Sequence, residues 1–253
     1  MVNKEPFDAV LWDDGKIIPL GTLGGLFGFA LAINERGQVT GAARTAAGLL
    51  HAFLWEEDSG MIDLGTLPGD TGSTGRGINN RGQVVGQGAG ASFGHCGLHV
   101  PQPPLPTRAL MWGDDGTITD LGALGGIFAV GKSINDHGVV VGASSTRREE
   151  KHAFLWHDGT MTDLGTLGGT YSGAYQINQR EQVVGEANTV TGDLHAFLWA
   201  RGRMIDLNNP IPKSSAWILI QATAINKVGQ IAGWGEIRGQ THAFLLTPEH
   251  DDD

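Results

Sequence analysis

Apolar and polar residues alternate in short runs along the whole chain. In residues 152–185, for example, runs of four to seven residues rich in aromatic and β-branched side chains are bounded by Gly, Asp or Asn. Alternation with a period of two over such lengths is typical of β-strands. No stretch of useful length has the period of a helix. The pattern therefore predicts a nearly all-β chain.

Two short phrases recur and interleave. The first is Ile-Asn, followed by a turn residue, a β-branched run and a glycine, and it begins at Ile33, Ile78, Ile134, Ile177 and Ile225. The second is Ala-Phe-Leu-Trp or a near copy, and it begins at Ala9, Ala52, Ala109, Ala153, Ala196 and Ala243. Successive Ile-Asn phrases lie 43 to 56 residues apart. One supersecondary unit is therefore repeated about five times along the chain.

Turn residues divide each unit into four strands. Asp-Gly recurs between two of the strands, at Asp14-Gly15, Asp115-Gly116 and Asp158-Gly159, and it predicts hairpins because both positions tolerate a positive φ. Asn-x-x-Gly recurs between the other two, with Glu181 replacing the glycine in the fourth copy. There the Asn side chain can bond the backbone two residues on, and a glycine suits the left-handed position.

Units of about 45 residues with four antiparallel strands are typical of β-propeller blades. We therefore expect a five-bladed β-propeller of four-stranded antiparallel blades, closed by the N- and C-terminal strands. Residues 1–253 are interpreted as a single repeat domain, with five repeats over about 9–246, a loop insertion at about 88–107 and an acidic tail at 247–253.

The number of strands poses a problem at the ends of the chain. The second phrase occurs six times, whereas five blades have only five equivalent strand positions for it. One end copy, either Ala9 to Trp12 or Ala243 to Leu246, is therefore expected to be an added outer strand, displaced, or donated to a neighbouring molecule. Donation would give a homodimer by terminal-strand exchange.

Three motifs together resemble a known family. They are His-Ala-Phe at His51, His152, His195 and His242, then Asp-Leu-Gly-Thr-Leu, then Ile-Asn-x-x-Gly-Gln-Val-Val-Gly. In this combination the chain resembles the HAF repeat family, often labelled a probable extracellular repeat, over residues 9 to 246. The chain departs from the pattern locally, since Asp8 and Arg108 replace the histidine. The resemblance implies the repeat fold and an extracellular location, and it implies no reaction.

Composition limits the partners and the compartment. A net charge of −10, with Arg147-Arg148 as the longest basic run, argues against nucleic acid, because phosphate contacts need clustered cations. No run of 18 apolar residues and no signal peptide is visible, so no membrane span is expected. The single cysteine, Cys96, excludes an internal disulfide framework and also allows a cytoplasmic location.

Most recurrent residues have a structural interpretation. The repeated histidines can converge as a metal ring, but each is better interpreted as capping its strand inside its own blade. The repeated Asp residues are interpreted as turn or strand-end residues. The tryptophans of the second phrase are interpreted as packing between blades rather than as stacking platforms. The aspartates and tryptophans in question are Asp63, Asp120, Asp163, Asp206, Trp12, Trp55, Trp112, Trp156 and Trp199.

Residues that break the repeat are the better site candidates. Trp217 and Trp234 lie outside the phrase and are the predicted ligand-binding residues. His95, Cys96 and His99 lie in the insertion and can chelate a divalent metal, although no fourth ligand is evident nearby. The alternative for the insertion is a packed or disordered loop, with its proline-rich end as a stiff spacer.

The leading functional hypothesis is a non-enzymatic binding or interaction module. Its rigid propeller scaffold would hold a ligand, for example a glycan, or a protein partner at its loops or axial mouth. One alternative is a propeller enzyme acting on polysaccharide, a hydrolase or lyase with carboxylates beside Trp217 or Trp234. Another is a metal-binding protein using His95, Cys96 and His99. No catalytic residue is assigned, because no unique constellation satisfies a catalytic geometry.

Overall fold

The computed structural model describes residues 9–89 and 106–248, and they form two compact units. The first unit runs to Gly122 and includes Ile127–Gly131, whereas the second consists of Ala123–Gly126 and the residues from Lys132 onward. The described part of the chain is almost entirely β, with one 3-10 turn at Lys213–Ser215. Within those ranges, no helix has the length and apolar character needed to cross a membrane.

The strands of the first unit form a hairpin and two four-stranded meanders. The N-terminal hairpin consists of β1 (Val10–Asp13) and β2 (Lys16–Pro19). Meander 1 consists of β3 (Gly24–Ile33), β4 (Val39–Thr45), β5 (Leu50–Glu56) and β6 (Gly60–Gly65). Meander 2 consists of β7 (Gly72–Ile78), β8 (Val84–Ala89), β9 (Thr107–Trp112) and β10 (Ile118–Asp120).

The second unit contains most of meander 3, all of meander 4 and a three-stranded terminal sheet. Meander 3 consists of β11 (Gly125–Ile134), β12 (Val140–Thr146), β13 (Lys151–His157) and β14 (Thr160–Asp163). Meander 4 consists of β15 (Gly168–Ile177), β16 (Val183–Thr189), β17 (Leu194–Ala200) and β18 (Arg203–Asp206). The terminal sheet consists of β19 (Trp217–Ile225), β20 (Ile231–Ile237) and β21 (Gln240–Leu246).

The all-β prediction is confirmed, but each sheet starts at a different point from the repeat read in the sequence. In the stretch 152–185, β13 and β14 are the last two strands of meander 3, whereas β15 and β16 are the first two strands of meander 4. A single parallel bridge, Lys151 with Tyr171, joins the two. Each meander therefore begins with its long first strand, which opens with a Gly-Gly pair in β3, β11 and β15, because antiparallel pairing follows the hairpin turns rather than the sequence phrase.

The ends of the chain depart from the four-stranded pattern. Strand β21 takes the regular third place in the terminal sheet, which has no fourth strand among the described residues. Strand β1 carries the same phrase and pairs with β2 in a sheet of its own, so the copy beginning at Ala9 is the displaced one. The end strands thus lie in different sheets. Five blades and closure by these strands stay predictions.

The repeated asparagine forms its turn through the side chain, as predicted. Asn178 Oδ1 accepts from the backbone N–H of Arg180 at 2.9 Å and of Gln182 at 3.0 Å. The other four copies have the same pair of bonds. Glu181, which stands where the other copies have glycine, adopts the left-handed conformation with φ of 57°. The fourth turn therefore keeps its shape with a strained residue.

The Asp-Gly turns follow the prediction in two of three places. Asp14 and Asp158 both have φ of 46°, and the glycine after each also has a positive φ. At Asp115 only the following glycine does. The reason is a longer turn, in which Asp115 Oδ1 accepts from the N–H and hydroxyl of Thr117, at 3.0 and 2.7 Å.

The asparagine amide also joins one repeat to the next, which the sequence did not predict. In the first unit, Asn34 Nδ2 donates to the carbonyl oxygen of Asn79 at 2.8 Å. In the second unit, Asn135 Nδ2 donates to Asn178 O at 3.3 Å, and Asn178 Nδ2 donates to Asn226 O at 3.0 Å. A turn-forming residue thus also fixes the position of the neighbouring turn.

Apolar faces bury the contacts between successive sheets. In the first unit, Ala52 and Leu54 of meander 1 lie in one cluster with Val84, Leu110 and Trp112 of meander 2. In the second unit, one cluster joins meanders 3 and 4, and another joins meander 4 to the terminal sheet. Burial of these faces is the main favourable contribution to folding.

Three of the five repeated tryptophans, Trp55, Trp112 and Trp199, pack in or against clusters between successive strand groups as predicted, and Trp156 is buried. Trp55 and Trp112 are also buried, and Trp199 packs against the cluster of meanders 3 and 4. Trp12 is the exception, since 74% of its surface is exposed.

The bond between turns and the burial of Asn178 predict a larger loss of stability for one asparagine variant than for another that lacks both features. Asn178→Ala removes the turn bonds and the bond to Asn226 from a buried site, so we expect a loss of about 2–3 kcal/mol in the free energy of unfolding. The control, Asn226→Ala, removes the same turn bonds from an exposed site, for an expected loss of about 1 kcal/mol. Urea unfolding followed by tryptophan fluorescence measures both. Equal losses would show that the bond between turns contributes nothing.

Candidate functional site

Three repeated histidines bond aspartates on the neighbouring strand of their own meander. The Nδ1 atoms of His51, His152 and His195 lie 2.7 to 2.9 Å from carboxylate oxygens of Asp63, Asp163 and Asp206. Where Arg108 replaces the histidine, its Nε lies 3.7 Å from Asp120. Each of these aspartates also accepts a backbone N–H two residues on. This geometry agrees with the strand-capping interpretation.

The predicted metal site cannot be located. His95, Cys96 and His99 lie outside the described residues, and so does most of the insertion predicted at 88–107. Within residues 9–89 and 106–248, no group of three His, Cys, Asp or Glu side chains is arranged to hold a metal ion. The metal hypothesis stays a prediction.

A β-bulge redirects one side chain in the first strand of several sheets. The register shifts at Leu31 in β3, Arg76 in β7, Tyr175 in β15 and Thr223 in β19. A bulge leaves one residue unpaired and turns its side chain out of the ladder. Lys132 occupies the equivalent sequence position in β11. These positions are free to vary without loss of pairing.

The repeated glycine of the second strand makes room for this bulge. A Cβ built on Gly185 would lie 2.0 Å from the carbonyl oxygen of Gly173, and Gly41, Gly86 and Gly233 show the same close approach to their partner strands. No larger residue fits at that distance. The glycine that the sequence shows in each copy is therefore required by contact with the neighbouring backbone.

The residue after this glycine varies between sheets and is Glu186 in meander 4. The corresponding residues are Ala42, Gln87, Ala143 and Trp234. Glu186 is 6% exposed. A buried carboxylate is costly unless hydrogen bonds compensate it, so its surroundings decide whether it can remain charged.

Two tyrosines and a glutamine donate hydrogen bonds to Glu186. Tyr171 and Tyr175 donate their hydroxyls to Oε1, at 2.7 and 2.8 Å. Gln221 Nε2 donates to Oε2 and also to the Tyr175 hydroxyl, the latter at 2.9 Å. Glycine at position 173, opposite Glu186 in the register, leaves space for the Tyr171 hydroxyl, which lies 3.3 Å from an ideal Cβ there.

Two further side chains complete what we call the Glu186 cluster: Lys132, Tyr171, Tyr175, Glu186, Gln221 and Trp234. Trp234 Nε1 donates to Gln221 Oε1 at 2.9 Å, and this bond orients the amide so that its nitrogen faces Glu186. Lys132 Nζ lies 3.7 Å from the centroid of the Tyr175 ring. A cation over an aromatic face is attracted by the ring quadrupole. All six residues belong to the second unit.

Burial and the neighbouring carboxylate raise the pKa of both phenols. For Tyr171, burial together with the hydrogen bond and negative charge of Glu186 raises the pKa to about 12. For Tyr175, burial and the same carboxylate raise the pKa further. In both cases the cause is that a tyrosinate would be poorly hydrated and would face another anion. Both side chains therefore remain neutral hydrogen-bond donors across the physiological range.

The two predicted ligand-binding tryptophans are in different surroundings. Trp234 lies in the Glu186 cluster and is half-buried. Trp217 packs against the core between meander 4 and the terminal sheet, and its ring contacts His242 edge-on at 6.2 Å. The geometry favours Trp234 as a site residue and gives Trp217 a packing contact.

Sequence reasoning missed five of the six cluster residues. Lys132, Tyr171, Tyr175, Glu186 and Gln221 come from four strands and read as ordinary repeat positions. One signal was present, because both tyrosines of the chain lie in the same strand, β15. Another was the glutamate of the fourth copy at a place where two other copies have alanine.

Comparison with known proteins bears on the fold. No protein-family model matches the chain, and no curated protein matches its sequence. Among solved structures, TolB from Acinetobacter baumannii is 7% identical with a TM-score of 0.52, covering 93% of this chain and 55% of that chain. The chain thus spans about half the length of that TolB.

Two further matches are more distant in structure. A putative gluconolactonase is 11% identical with a TM-score of 0.43, covering 95% of this chain and 82% of that one. A gluconolactonase from Xanthomonas campestris is 9% identical with a TM-score of 0.41, covering 87% and 76%. The likeness to TolB shows the fold alone, an all-β chain whose structural neighbours are β-propeller proteins. Membership of the HAF repeat family stays a prediction.

Proposed function

We propose that the protein is a non-enzymatic binding module and that the Glu186 cluster holds a hydroxylated ligand of the glycan type. The observation that carries the proposal is the hydrogen-bonded carboxylate of Glu186, which holds two phenols and an amide in fixed positions. Ala42 and Ala143 show that the same strand position needs no polar side chain. Packing alone therefore does not explain the cluster.

The exposed parts of the cluster match the chemistry of a sugar. Tyr171, Tyr175, Gln221 and Trp234 are each half-buried, so part of each surface remains available. Aromatic faces pack on the apolar face of a sugar ring, whereas hydroxyl, amide and ammonium groups bond its hydroxyls. Lys132 adds a positive donor beside the Tyr175 ring. Glu186 itself is buried and accepts the protons of both phenols, so it positions their hydroxyl oxygens as hydrogen-bond acceptors for a ligand.

The raised phenol pKa values favour binding over acid–base catalysis. A general base must lose its proton near the working pH, and a general acid must give it up. Tyr171, with a pKa of about 12, is poorly suited to both roles at neutral pH. As a neutral hydroxyl whose proton is bonded to Glu186, it suits ligand recognition as a hydrogen-bond acceptor. The hydrolase or lyase alternative would therefore need acid–base groups other than these tyrosines.

The titration of the tyrosines can be observed directly, because Tyr171 and Tyr175 are the only two tyrosines of the chain. We expect the tyrosinate absorbance of the folded protein to show no midpoint near pH 10 and to rise only around pH 12 and above. In urea the midpoint should fall to about 10. Glu186→Gln removes the negative charge and should lower the midpoint of the folded protein.

The raised pKa values of the tyrosines determine how the stability of the folded protein changes with pH. The stabilisation by the neutral phenols is fully present below the unfolded pKa of about 10 and is lost as pH rises through the folded pKa of about 12. Circular dichroism over the same range separates titration of the folded state from alkaline unfolding. A folded-state midpoint near pH 10 would show that Glu186 does not hold the phenols neutral.

Ligand binding is tested with a glycan array, followed by calorimetry with the best-bound sugar. Tyr171→Phe keeps the ring and removes one hydroxyl that Glu186 orients, so Kd should rise about 3- to 10-fold. Trp234→Ala should weaken binding further, because it removes an aromatic face and frees the Gln221 amide. The control is Thr170→Ala, an exposed neighbour in β15. It should leave Kd unchanged.

Two results would overturn the proposal. One is the absence of binding to any glycan on the array by the wild-type protein. The other is a change in the mass of the bound sugar recovered after incubation, because turnover would identify an enzyme. Binding that Thr170→Ala weakens as much as Tyr171→Phe would move the site away from the Glu186 cluster.

A further inference from the structure

Two sheet faces at the ends of the repeat array are exposed although the equivalent faces elsewhere are buried. On the N-terminal hairpin, the face formed by Val10, Trp12 and Ile17, here called the hairpin face, is 52%, 74% and 70% exposed at these residues. On β21, the face formed by Ala243 and Leu245, here called the terminal face, is also exposed. Aligned apolar residues exposed to this extent form neighbouring apolar surface, which is a feature of interaction sites.

The repeats show what covers a face like the hairpin face. By alignment of the phrases, its residues correspond to Phe53, Trp55 and Met61 of meander 1. These three pack against Ala9 and Leu11 of the preceding hairpin. In meander 4, the corresponding Phe197, Trp199 and Met204 pack against Ala153 and Leu155 of the preceding meander. An aromatic face is covered in each case by the Ala-x-Leu face of the phrase strand before it.

The terminal face has the composition of the covering partner. Ala243 and Leu245 align with Ala196 and Leu198, which pack against the terminal sheet, and with Ala52 and Leu54, which pack against meander 2. On β21 this Ala-x-Leu face is open to solvent. Each chain therefore presents one face of each kind, and the two are complementary by the packing rule that its own repeats follow.

We propose that the hairpin face of one molecule packs on the terminal face of a second copy of this chain. The interaction is head-to-tail, because the two faces differ, and contacts of this kind join copies into a closed ring or an open chain. It repeats the packing between meanders and needs no exchange of strands, since β1 keeps its partner β2. It is independent of the Glu186 cluster, so its failure would leave the proposed binding function standing.

The oligomeric state tests the proposal. In sedimentation velocity and light scattering from micromolar to millimolar concentration, the wild-type mass should rise from 26.7 kDa to at least twice that value. Trp12→Lys and Leu245→Lys should each remain monomeric when examined alone. Val190→Lys is the matched control, because Val190 is 83% exposed and lies in a turn outside both faces. It should associate like the wild type.

Mixing the two variants tests the head-to-tail geometry. Trp12→Lys keeps an intact terminal face and Leu245→Lys keeps an intact hairpin face, so an equal mixture should form dimers and nothing larger. Circular dichroism checks that both variants are folded. A wild-type protein that stays monomeric at every concentration would overturn the proposal. So would folded single variants that associate as the wild type does, because neither face would then be needed.

Discussion

The amide of the repeated asparagine is the interaction on which the regularity of the chain depends. Its oxygen accepts two backbone N–H groups of its own turn, and in Asn34, Asn135 and Asn178 its nitrogen reaches the carbonyl of the next repeat's asparagine. Aspartate could form the turn but has no N–H to donate to a carbonyl. One side chain thus closes a hairpin and sets the position of its neighbour, so the residue type is the same in all five copies.

A fixed frame leaves a few positions free to diversify. The close backbone contact at Gly185 and the bulge at Tyr175 are needed for pairing, but the side chain on the bulge and the residue after the glycine are not. In meander 2 these two positions hold Arg76 and Gln87, joined by a hydrogen bond of 3.2 Å. In meander 4 they hold Tyr175 and Glu186. The same backbone geometry therefore carries different polar pairs in different sheets.

The sequence was sufficient for the strands and turns because their causes are local. The Asn and Asp-Gly turns and the period-two alternation act within a few residues. The first strand of each meander is determined by pairing between strands, which the sequence does not show. The stretch 152–185 was therefore interpreted as one unit, although it contains strands of two meanders. The Glu186 cluster depends on side chains from five strands, and a single substitution such as Glu186 for alanine does not reveal which donors surround it. Trp234 was singled out from the sequence because tryptophan is conspicuous at a small-residue position, and its role in ligand binding stays a prediction.

The presence of Glu186 is better explained by function than by stability. A buried carboxylate loses its hydration, and its hydrogen bonds to protein groups do no more than compensate for that loss. Replacing such a group by an apolar side chain of similar shape is therefore often neutral or stabilising for the folded protein. Here three donors are spent on one anion, whereas Ala42 and Ala143 occupy the same place in other sheets without any. The Glu186 carboxylate fixes the positions of two phenol hydroxyls and keeps both phenols protonated. The side chains of Tyr171, Tyr175 and Trp234 remain half-exposed. Oriented hydroxyl oxygens beside half-exposed aromatic rings suit the proposed binding role, whereas packing in a repeat core needs no such groups.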